Sequence, residues 1–452
     1  MHIVIGGRDE TAFRLTEALM VDHEVTLICN DTSHATRLER LDADVLYGTI
    51  TSTALLRRAE VAEADLFVAV SMEDENNLVA CVSARHLGAK RTICFLTKLD
   101  FRAPKEDRVH LAESLGIDRV VVPAEQLADE ILRIVVIPGA LDAEVFVGGS
   151  VHLLRHGIEA GAAIVQGTLA DIGLPEGVVL VMAKRGDRMF IPKGTTHLQP
   201  GDKVTAMGTK AGINRLLQRY LRSAMHGPDA TRATIIGGGS VGLAVARGLE
   251  GLGWSVRIIE SDRDRCEEIA PLLDGLVLHG DGTDLDLLES ERIGDDPVLV
   301  AVTSNDEKNL LVSLIGKHLG VSRILTRADL QPNERIFEKV GIDVVLSARG
   351  AAIRSVLDAV GHNKADLLAE LEHGEAGVIE IEVPIDHEVT PISDLHGDVF
   401  AIIGAILRRG RVIIPRGTDS VQPGDRLLVF CLREHERRVR EYFLAARRGR
   451  GR

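Results

Sequence analysis

Aromatic residues are scarce in this chain. Phe, Trp and Tyr make up 3% of its 452 residues, although hydrophobic residues as a whole reach 45%. A hydrophobic core must therefore be built mainly from Val, Leu, Ile and Ala. Such aliphatic runs are typical of parallel strands that are buried on both faces of a sheet. The composition favours an α/β protein, and the length allows two to four domains.

The chain also lacks an excess of positive charge. It carries 53 Lys and Arg against 67 Asp and Glu, which gives a formal net charge of −14. Such a chain is not attracted as a whole to nucleic acid or to an anionic membrane surface. The one basic segment is the C-terminal tail, which we expect to be a solvated terminus. Its arginines are Arg447, Arg448, Arg450 and Arg452.

Membrane-spanning segments and metal-binding cysteine patterns are missing as well. No apolar run approaches the ~20 residues of a transmembrane helix, and the chain opens directly on a strand pattern, so we expect neither a membrane span nor a signal peptide. Any action at a membrane should go through a membrane partner. The cysteines show no C-x-x-C spacing and are expected to be reduced, mostly buried thiols. They are Cys29, Cys81, Cys94, Cys266 and Cys431.

What the chain does contain is an internal repeat. Residues 1–11 read M-H-I-V-I-G-G-R-D-E-T, and residues 233–242 read A-T-I-I-G-G-G-S-V-G. The second copy holds a complete G-x-G-x-x-G, whereas the first has Arg8 and Thr11 where the second and third glycines are expected. A dinucleotide-binding unit that is intact once and eroded once suggests a sensor more than a catalyst.

A different segment repeats between the glycine-rich ones. I-P-K-G-T and Q-P-G-D within residues 191–202 return as I-P-R-G-T and Q-P-G-D within residues 414–425, at identical spacing. The order A-B-A′-B′ predicts four domains, with a linker at residues 225–231. The two larger ones alternate short apolar runs with helical patterns, which implies a parallel sheet with right-handed crossovers. The two smaller ones carry short strands and Gly/Pro turns. The predicted domains are 1–125, 143–222, 231–350 and 377–445.

The intact glycine motif lies in the context that dinucleotide binding requires. A strand pattern precedes it, and a helical pattern starts near Val241. Gly237 allows the turn, Gly239 lets a pyrophosphate approach the backbone, and Gly242 lets helix and strand pack closely. Glu260 ends the next strand pattern, where an acidic residue binds a ribose diol and disfavours NADP(H). The alternative is that Glu260 merely caps a strand end.

Further candidates lie at the ends of later strand patterns. Residues 280–284 read G-D-G-T-D and could cover an adenine or simply form a turn. Asp306 is expected to cap the following helix. Arg327 could reach a phosphate or could be a surface charge. The candidate nucleotide-binding residues are Gly237, Gly238, Gly239, Ser240, Val241, Gly242, Glu260, Gly280, Asp281, Gly282, Thr283, Thr303 and Arg327.

The first copy has changed in a consistent direction. Acidic Asp9 and Glu10 stand at the expected helix N-terminus, where they can satisfy the helix dipole that would otherwise attract phosphate. Cys29 takes the place of Glu260, either as a redox-active thiol or, as we prefer, as a small buried hydrophobe. Residues 48–51, G-T-I-T, replace G-D-G-T. These changes argue against nucleotide binding in the first copy, although Asn30, Asp31 and Arg8 leave that binding open.

Together these motifs resemble the tandem RCK (regulator of potassium conductance) architecture of the peripheral subunits of bacterial Trk/Ktr potassium uptake systems. The resemblance covers almost the whole chain. It implies two Rossmann-like, doubly wound RCK-N domains, each followed by a small α+β RCK-C domain. It also implies a cytoplasmic dimer or tetrameric ring, held at the inner membrane by a TrkH/TrkG-like potassium-translocating subunit. NAD(H) is the expected ligand, with ATP or ADP possible at the same site.

Three other functions remain as alternatives. An NAD-dependent oxidoreductase needs a catalytic residue near the nicotinamide, and the one candidate, His197, becomes Ser420 in the second copy of its segment. A redox-sensing transcriptional regulator needs a basic helix-turn-helix, for which the chain has no further domain. An RCK-type regulator of a different ion transporter would share every motif described above. We expect no catalytic residue and no resident metal.

Overall fold

The computed structural model describes residues 1–21, 23–30, 43–97, 111–137, 139–186, 188–221, 231–360, 367–371, 375–392 and 401–444. The predicted linker at 225–231, apart from its last residue, the arginine tail and Asp31 lie outside these ranges. By their internal contacts the residues form two compact units. The first unit combines residues 1–132 with 232–361, and the second combines 133–231 with 362–452.

The described residues of the first unit form two six-stranded parallel sheets of the same topology. In each, the chain order of the strands gives the spatial order 3-2-1-4-5-6, which is that of a doubly wound dinucleotide-binding fold. The strands of the first sheet are β1 (His2–Gly6), β2 (Glu24–Cys29), β3 (Asp44–Tyr47), β4 (Leu66–Ala69), β5 (Thr92–Phe95) and β6 (Arg119–Val121). Strands β7 to β11 come next in the chain and belong to the second unit. The strands of the second parallel sheet are β12 (Arg232–Ile236), β13 (Ser255–Glu260), β14 (Leu276–His279), β15 (Val298–Ala301), β16 (Arg323–Arg327) and β17 (Val344–Leu346).

Helices cover both parallel sheets. The longest helices among the described residues have 14 residues each. They start with acidic side chains, which favour a helix N-terminus, and end at a glycine in the left-handed region, Gly88 or Gly320. In the first repeat the helices are α1 (Glu10–Leu19), α2 (Thr53–Arg58), α3 (Asp74–Leu87), α4 (Leu111–Ser114) and α5 (Pro123–Val135). After two short helices of the second unit, α6 (Leu169–Ile172) and α7 (Lys210–Leu216), the second repeat has α8 (Ser240–Gly251), α9 (Arg263–Ile269), α10 (Leu285–Ser290), α11 (Asp306–Leu319), α12 (Gln331–Lys339) and α13 (Ala348–Val360).

The last helix of the second repeat covers one face of the first repeat's sheet. Ala352 and Val356 of α13 are fully buried in the same cluster as Phe13 of α1 and Leu27 of β2. The other face of that sheet has its own core around Phe67. The two Rossmann folds of the first unit are therefore joined by a shared hydrophobic core rather than by a linker alone.

Antiparallel sheets make up the second unit. Within the described ranges, this unit has two five-stranded sheets, with the orders β10-β9-β11-β8-β7 and β18-β19-β24-β21-β22. Their buried faces meet in one cluster that includes Phe146 and Phe430. The strands are β7 (Ala140–Phe146), β8 (Val151–Gly157), β9 (Val178–Arg185), β10 (Arg188–Phe190), β11 (Lys203–Gly208), β18 (Leu367–Leu371), β19 (Ala376–Glu382), β20 (Thr390–Pro391), β21 (Ala401–Arg408), β22 (Arg411–Ile413), β23 (Ser420–Val421) and β24 (Arg426–Leu432), and α14 spans Glu436–Leu444.

The repeated Q-P-G-D turns are held by matching ion pairs. Both carboxylate oxygens of Asp202 accept hydrogen bonds from the Arg185 guanidinium at 2.7 Å, and the Gln199 N–H donates at 2.8 Å. Asp425 accepts two bonds from Arg408 at 2.8 Å in the same way. Each aspartate is buried, with 2% and 1% of its side chain exposed. The final Asp of the motif therefore joins the turn to a neighbouring strand.

The predicted fold class is confirmed: two parallel α/β folds alternate along the chain with two small strand-rich folds. The apolar runs at residues 66–70, 178–183 and 298–302 coincide with β4, β9 and β15 to within two residues at each end. Among the described residues, no helix has the length and apolar character needed to cross a membrane. The five cysteines are buried and none of them is in a disulfide, and Cys29 lies among the core residues that cover the first sheet.

Candidate functional site

The glycines of the intact motif form a tight connection between β12 and α8. Gly237 has φ +106°, a conformation that favours glycine. A Cβ on Gly242 would lie 1.9 Å from the Gly237 carbonyl oxygen, and one on Gly238 would lie 2.7 Å from Ile269. These three glycines thus meet the backbone or core side chains. A Cβ on Gly239, in contrast, would face open space.

Gly239 is the N-cap of α8 and makes no side-chain cap bond. The first N–H groups of a helix lack intrahelical partners and carry partial positive charge, so they attract anions. The open space in front of Gly239 therefore adjoins an uncapped helix N-terminus. This arrangement can accept a phosphate.

Glu260 lies beside the glycine turn, at the end of β13. One of its carboxylate oxygens accepts a bond from the Gly238 N–H at 2.6 Å, and the other accepts from the Asp262 N–H at 2.9 Å. The same side chain lines the adjoining cavity. Glu260 therefore stabilises the glycine turn, as the strand-end alternative requires, and it also lies at the cavity, where its role towards a ribose stays a prediction.

A cavity of about 560 Å³ opens in front of these residues. Its volume is in the range that small-molecule sites occupy. Every candidate residue lines it except Gly238 and Gly242, which the packing places behind the turn. The candidates that line it are Gly237, Gly239, Ser240, Val241, Glu260, Gly280, Asp281, Gly282, Thr283, Thr303 and Arg327.

Sequence reasoning missed several residues of this cavity. Lys308 lines it and places its ammonium 3.2 Å from the Asp281 carboxylate. Bonds from the N–H and hydroxyl of Thr283, together with Lys308, hold the pKa of Asp281 below its usual value despite partial burial. The signal for Lys308 was its position in a segment that occurs twice, as D-E-N-N-L at residues 74–78 and as D-E-K-N-L at residues 306–310. Ser261, Ser304, Asn305 and Ala348 also line the cavity, and so do Thr97, Pro123 and Ala124 of the first repeat.

Arg327 has its own partner in the structure. Its guanidinium forms a fork with Asp329, at 3.0 Å from Nε and 2.5 Å from Nη2, and only 20% of its side chain is exposed. Arg327 also lines the cavity, so its predicted contact with a phosphate stays a prediction. Of the two cations in the cavity wall, Lys308 is held less tightly, by a single contact between half-exposed groups.

Asp306 is not the cap of α11, so that prediction is wrong. Asn305 is the N-cap, because its side chain accepts from the Lys308 N–H at 2.8 Å. Asp306 is the first helical residue, and its carboxylate instead accepts from the backbone N–H groups of Asp329 and Leu330. The Asp306 carboxylate therefore binds the loop after β16 rather than the first turn of its own helix.

A buried asparagine fixes the strand ends beneath the cavity. Asn309 is fully buried, and its amide donates to the carbonyls of Thr303 and Arg327 at 3.0 and 3.1 Å. Asn77 does the same in the first repeat, donating to Ser71 and Phe95 at 2.9 Å. The repeated asparagine is therefore structural in both copies, and it positions Thr303 at the cavity.

Strand pairing defines which residues correspond between the repeats. Gly6 pairs with Ile28 and Ala69, whereas Ile236 pairs with Ile259 and Ala301. Gly6 therefore corresponds to Ile236. The residue that follows also corresponds in the two repeats. Gly7 donates its N–H to the Ile28 carbonyl, and Gly237 donates its N–H to the Ile259 carbonyl.

The correspondence expected from the glycines alone is therefore wrong by one residue. Both repeats contain adjacent glycines, so the letters can be matched in two ways, and only the hydrogen-bond register decides. Arg8 and Thr11 do not replace the second and third glycines of the motif. The residues at the positions of Gly238, Gly239 and Gly242 are Arg8, Asp9 and Ala12, respectively.

In the first repeat an acidic side chain closes the helix N-terminus, as predicted. Asp9 is the N-cap of α1 and accepts from the Ala12 N–H at 3.0 Å and from the Thr11 hydroxyl at 3.1 Å. Arg8 pairs with Glu73 at 3.0 Å. Cys29 corresponds to Glu260, since each is the last residue of the second strand of its sheet.

Comparison with known proteins agrees with this architecture. Residues 3–123 and 233–348 match the TrkA-N domain, and residues 154–220 and 379–444 match the TrkA-C domain. A Trk system potassium uptake protein TrkA homolog of Archaeoglobus fulgidus is 34% identical over 447 residues, which covers 98% of this chain and 100% of that protein. The TrkA of Haemophilus influenzae is 29% identical and covers 95% of both chains.

Among solved structures, the GsuK channel bound to NAD superposes with a TM-score of 0.58 at 21% identity, covering 99% of this chain and 79% of that chain. At this identity the likeness concerns the fold. The domain matches extend over more than half of the residues, and the relatives align along nearly their whole length. The chain therefore belongs to the family of Trk system potassium uptake proteins TrkA.

Proposed function

We propose that this chain is a regulatory, non-enzymatic subunit of a potassium uptake system and that it binds NAD(H) in its second RCK-N domain. ATP or ADP could occupy the same site, because they share the adenosine and the pyrophosphate. The observation that carries the proposal is the uncapped helix N-terminus at Gly239, which opens into a cavity beside Glu260. The names of the relatives support the potassium uptake part.

The residues present suit a dinucleotide. The turn at Gly237 and Gly239 and the first turn of α8 would hold the pyrophosphate, with Lys308 adding positive charge. Glu260 would accept hydrogen bonds from the ribose hydroxyls of the adenosine half. Its charge would repel a 2′-phosphate, so NAD(H) is favoured over NADP(H).

The proposed regulation requires that the ligand bind two conformations of the assembly with different affinity. A membrane potassium-translocating subunit of the TrkH/TrkG type would respond to that difference. A dimer or tetrameric ring at the cytoplasmic face of the inner membrane is the proposed setting. Purification in mild detergent tests the partner: recovery of this chain without any potassium-translocating subunit would argue for a regulator of another transporter.

Calorimetry with NADH and ADP tests the site. Gly239→Asp copies Asp9 of the first repeat at a position with open space and φ −66°, which an aspartate can adopt. We expect the affinity for both nucleotides to fall about tenfold or more, since a carboxylate would occupy the anion position. The matched control is Gly417→Asp, which adds the same charge at an unobstructed glycine of the second unit. Unchanged affinity in Gly239→Asp would remove the site assignment.

A further inference from the structure

The cavity of the second repeat has a wall that comes from the first repeat. Thr97 follows β5, and Pro123 and Ala124 begin α5, yet all three line the cavity in front of Gly239. Both repeats belong to the same compact unit. The cavity is thus formed by two lobes, which are the Rossmann folds of the first and the second repeat. Only the second lobe carries the glycine turn.

Hydrogen bonds and an ion pair hold this wall in place. The carboxylate of Asp74 accepts bonds from the Thr97 N–H at 2.9 Å and from the Thr97 hydroxyl at 3.0 Å, and Asp74 itself is 1% exposed. Further along α5, Glu130 forms an ion pair with Arg354 of the second repeat's last helix. The helix that begins with Pro123 and Ala124 is therefore tied to the second repeat by an ion pair.

The order of the strands indicates which part of a ligand would meet this wall. Glu260 ends β13 and Asp281 follows β14, on one side of β12, and both would take the adenosine. The cavity continues to the other side of β12, where Thr303 follows β15 and Ala348 follows β17. A ligand whose pyrophosphate sits at the glycine turn can extend its second half only in that direction.

The chemistry of the first-repeat wall selects the kind of group. Pro123 and Ala124 offer small apolar surfaces, and the Thr97 hydroxyl already donates to Asp74. None of the three carries a charge that could balance a further phosphate. Arg327, on the second repeat's side, is engaged by Asp329. The surroundings therefore fit an uncharged ring better than a third phosphate.

We infer that the first repeat supplies the contact surface for the second nucleoside of a dinucleotide bound in the second repeat. This inference rests on the proposed nucleotide site and adds a regulatory consequence. A dinucleotide would touch both lobes, whereas a nucleoside diphosphate would touch only the second. The first repeat, whose own helix N-terminus is closed by Asp9, would act on the ligand of its neighbour instead.

Ala124→Phe tests the inference, because it adds a bulky uncharged side chain at a half-buried cavity position. We expect the dissociation constant for NADH to rise about tenfold, while that for ADP changes by less than about twofold. The matched control is Ala54→Phe, at an exposed alanine of α2 in the same repeat. Thermal unfolding of both variants, compared with the wild-type chain, checks that the fold is kept.

The outcomes separate this inference from the proposed site itself. If Ala124→Phe binds NADH and ADP as the wild type does, while Gly239→Asp binds neither, the site stands and the first-repeat surface is wrong. If Ala124→Phe weakens both ligands equally, the wall meets the shared adenosine diphosphate half and the inference is also wrong. If the wild-type chain binds neither nucleotide, the proposed function fails first.

Discussion

Asp9 and Gly239 occupy the same position in the two Rossmann folds: each is the N-cap of the first helix, and each carbonyl accepts the first helical N–H, from Phe13 and Leu243 respectively. The aspartate satisfies the helix N-terminus with its own carboxylate. The glycine leaves it open to the cavity. One residue at one position thus separates a self-capped helix from one that can accept an external anion.

This difference gives a first prediction for the first repeat. Asp9→Ala removes the bonds from the Ala12 N–H and the Thr11 hydroxyl. We expect the free energy of unfolding to fall by about 1 kcal/mol, as for other lost N-caps. Nucleotide affinity measured by calorimetry should stay unchanged, because Asp9 does not line the second repeat's cavity. A loss of binding without a loss of stability would mean that Asp9 has a functional role.

The close packing of Gly242 gives a second prediction. Gly242→Ala would place a methyl group 1.9 Å from the Gly237 carbonyl, so strand and helix must separate. We expect a loss of about 2 kcal/mol in unfolding free energy, and weaker nucleotide binding as the turn moves. Gly251→Ala in the same helix is the control, since its Cβ would meet open space. That change should raise stability by up to about 1 kcal/mol. Equal effects of the two would contradict the packing.

The ion pair between the two repeats can be tested by a double-mutant cycle. Glu130 is 10% exposed and meets the Arg354 guanidinium at 2.5 Å. We expect Glu130→Gln and Arg354→Met to show a coupling energy of about 1 kcal/mol in chemical denaturation, because one partner is buried. The exposed pair of Arg263 and Glu267 should give a smaller coupling, of about 0.3–0.5 kcal/mol. A coupling energy no larger than that of the control pair would show that Glu130 does not stabilise the packing between the two repeats.

Asp202 should make the stability of the second unit depend on pH. Burial by itself raises the pKa of this carboxyl, but the Arg185 guanidinium and the Gln199 N–H outweigh it, so the pKa lies below its usual value. A carboxyl with a lowered folded-state pKa contributes stability above its unfolded pKa of about 4. That contribution is lost as the pH falls from about 4 through the lower folded-state value.

Asp202→Asn should therefore lower the unfolding free energy by about 1–3 kcal/mol at neutral pH and reduce the further loss on acidification. Thermal unfolding monitored at several pH values between neutral and acidic conditions measures both effects. The control is Asp386→Asn at an exposed aspartate of the same unit. An unaltered acid profile in Asp202→Asn would contradict the role of the ion pair.

Much of this organisation can be predicted from the sequence. Aliphatic runs buried on both faces, such as the one at residues 298–302, are recognisable because every residue must be apolar. The glycine turn before α8 is recognisable because only glycine fits at Gly237 and Gly242. Glu260 is recognisable because it ends the following strand. These features depend on neighbours within about thirty residues.

Features that join distant parts of the chain could not be predicted in this way. The cap of α11 is Asn305 rather than Asp306, since the aspartate reaches Asp329. The fork of Arg327 with Asp329 likewise depends on where the loop after β16 turns. Lys308 meets Asp281 across the carboxyl ends of strands that are not neighbours in the sheet, since β14 and β15 lie on opposite sides of β12.

The sequence alone determined that a Rossmann fold occurs twice and that one copy kept its glycines, because the strand and turn patterns are local and repeat. The tertiary structure alone decided how the residues of the two copies correspond, and it showed that Asp9 corresponds to Gly239. It also decided that the cavity of the second repeat includes Thr97 and Ala124 of the first. The physical reason is that register follows from hydrogen bonds between strands, and a shared wall follows from packing between lobes. Neither is encoded in any single stretch of the chain.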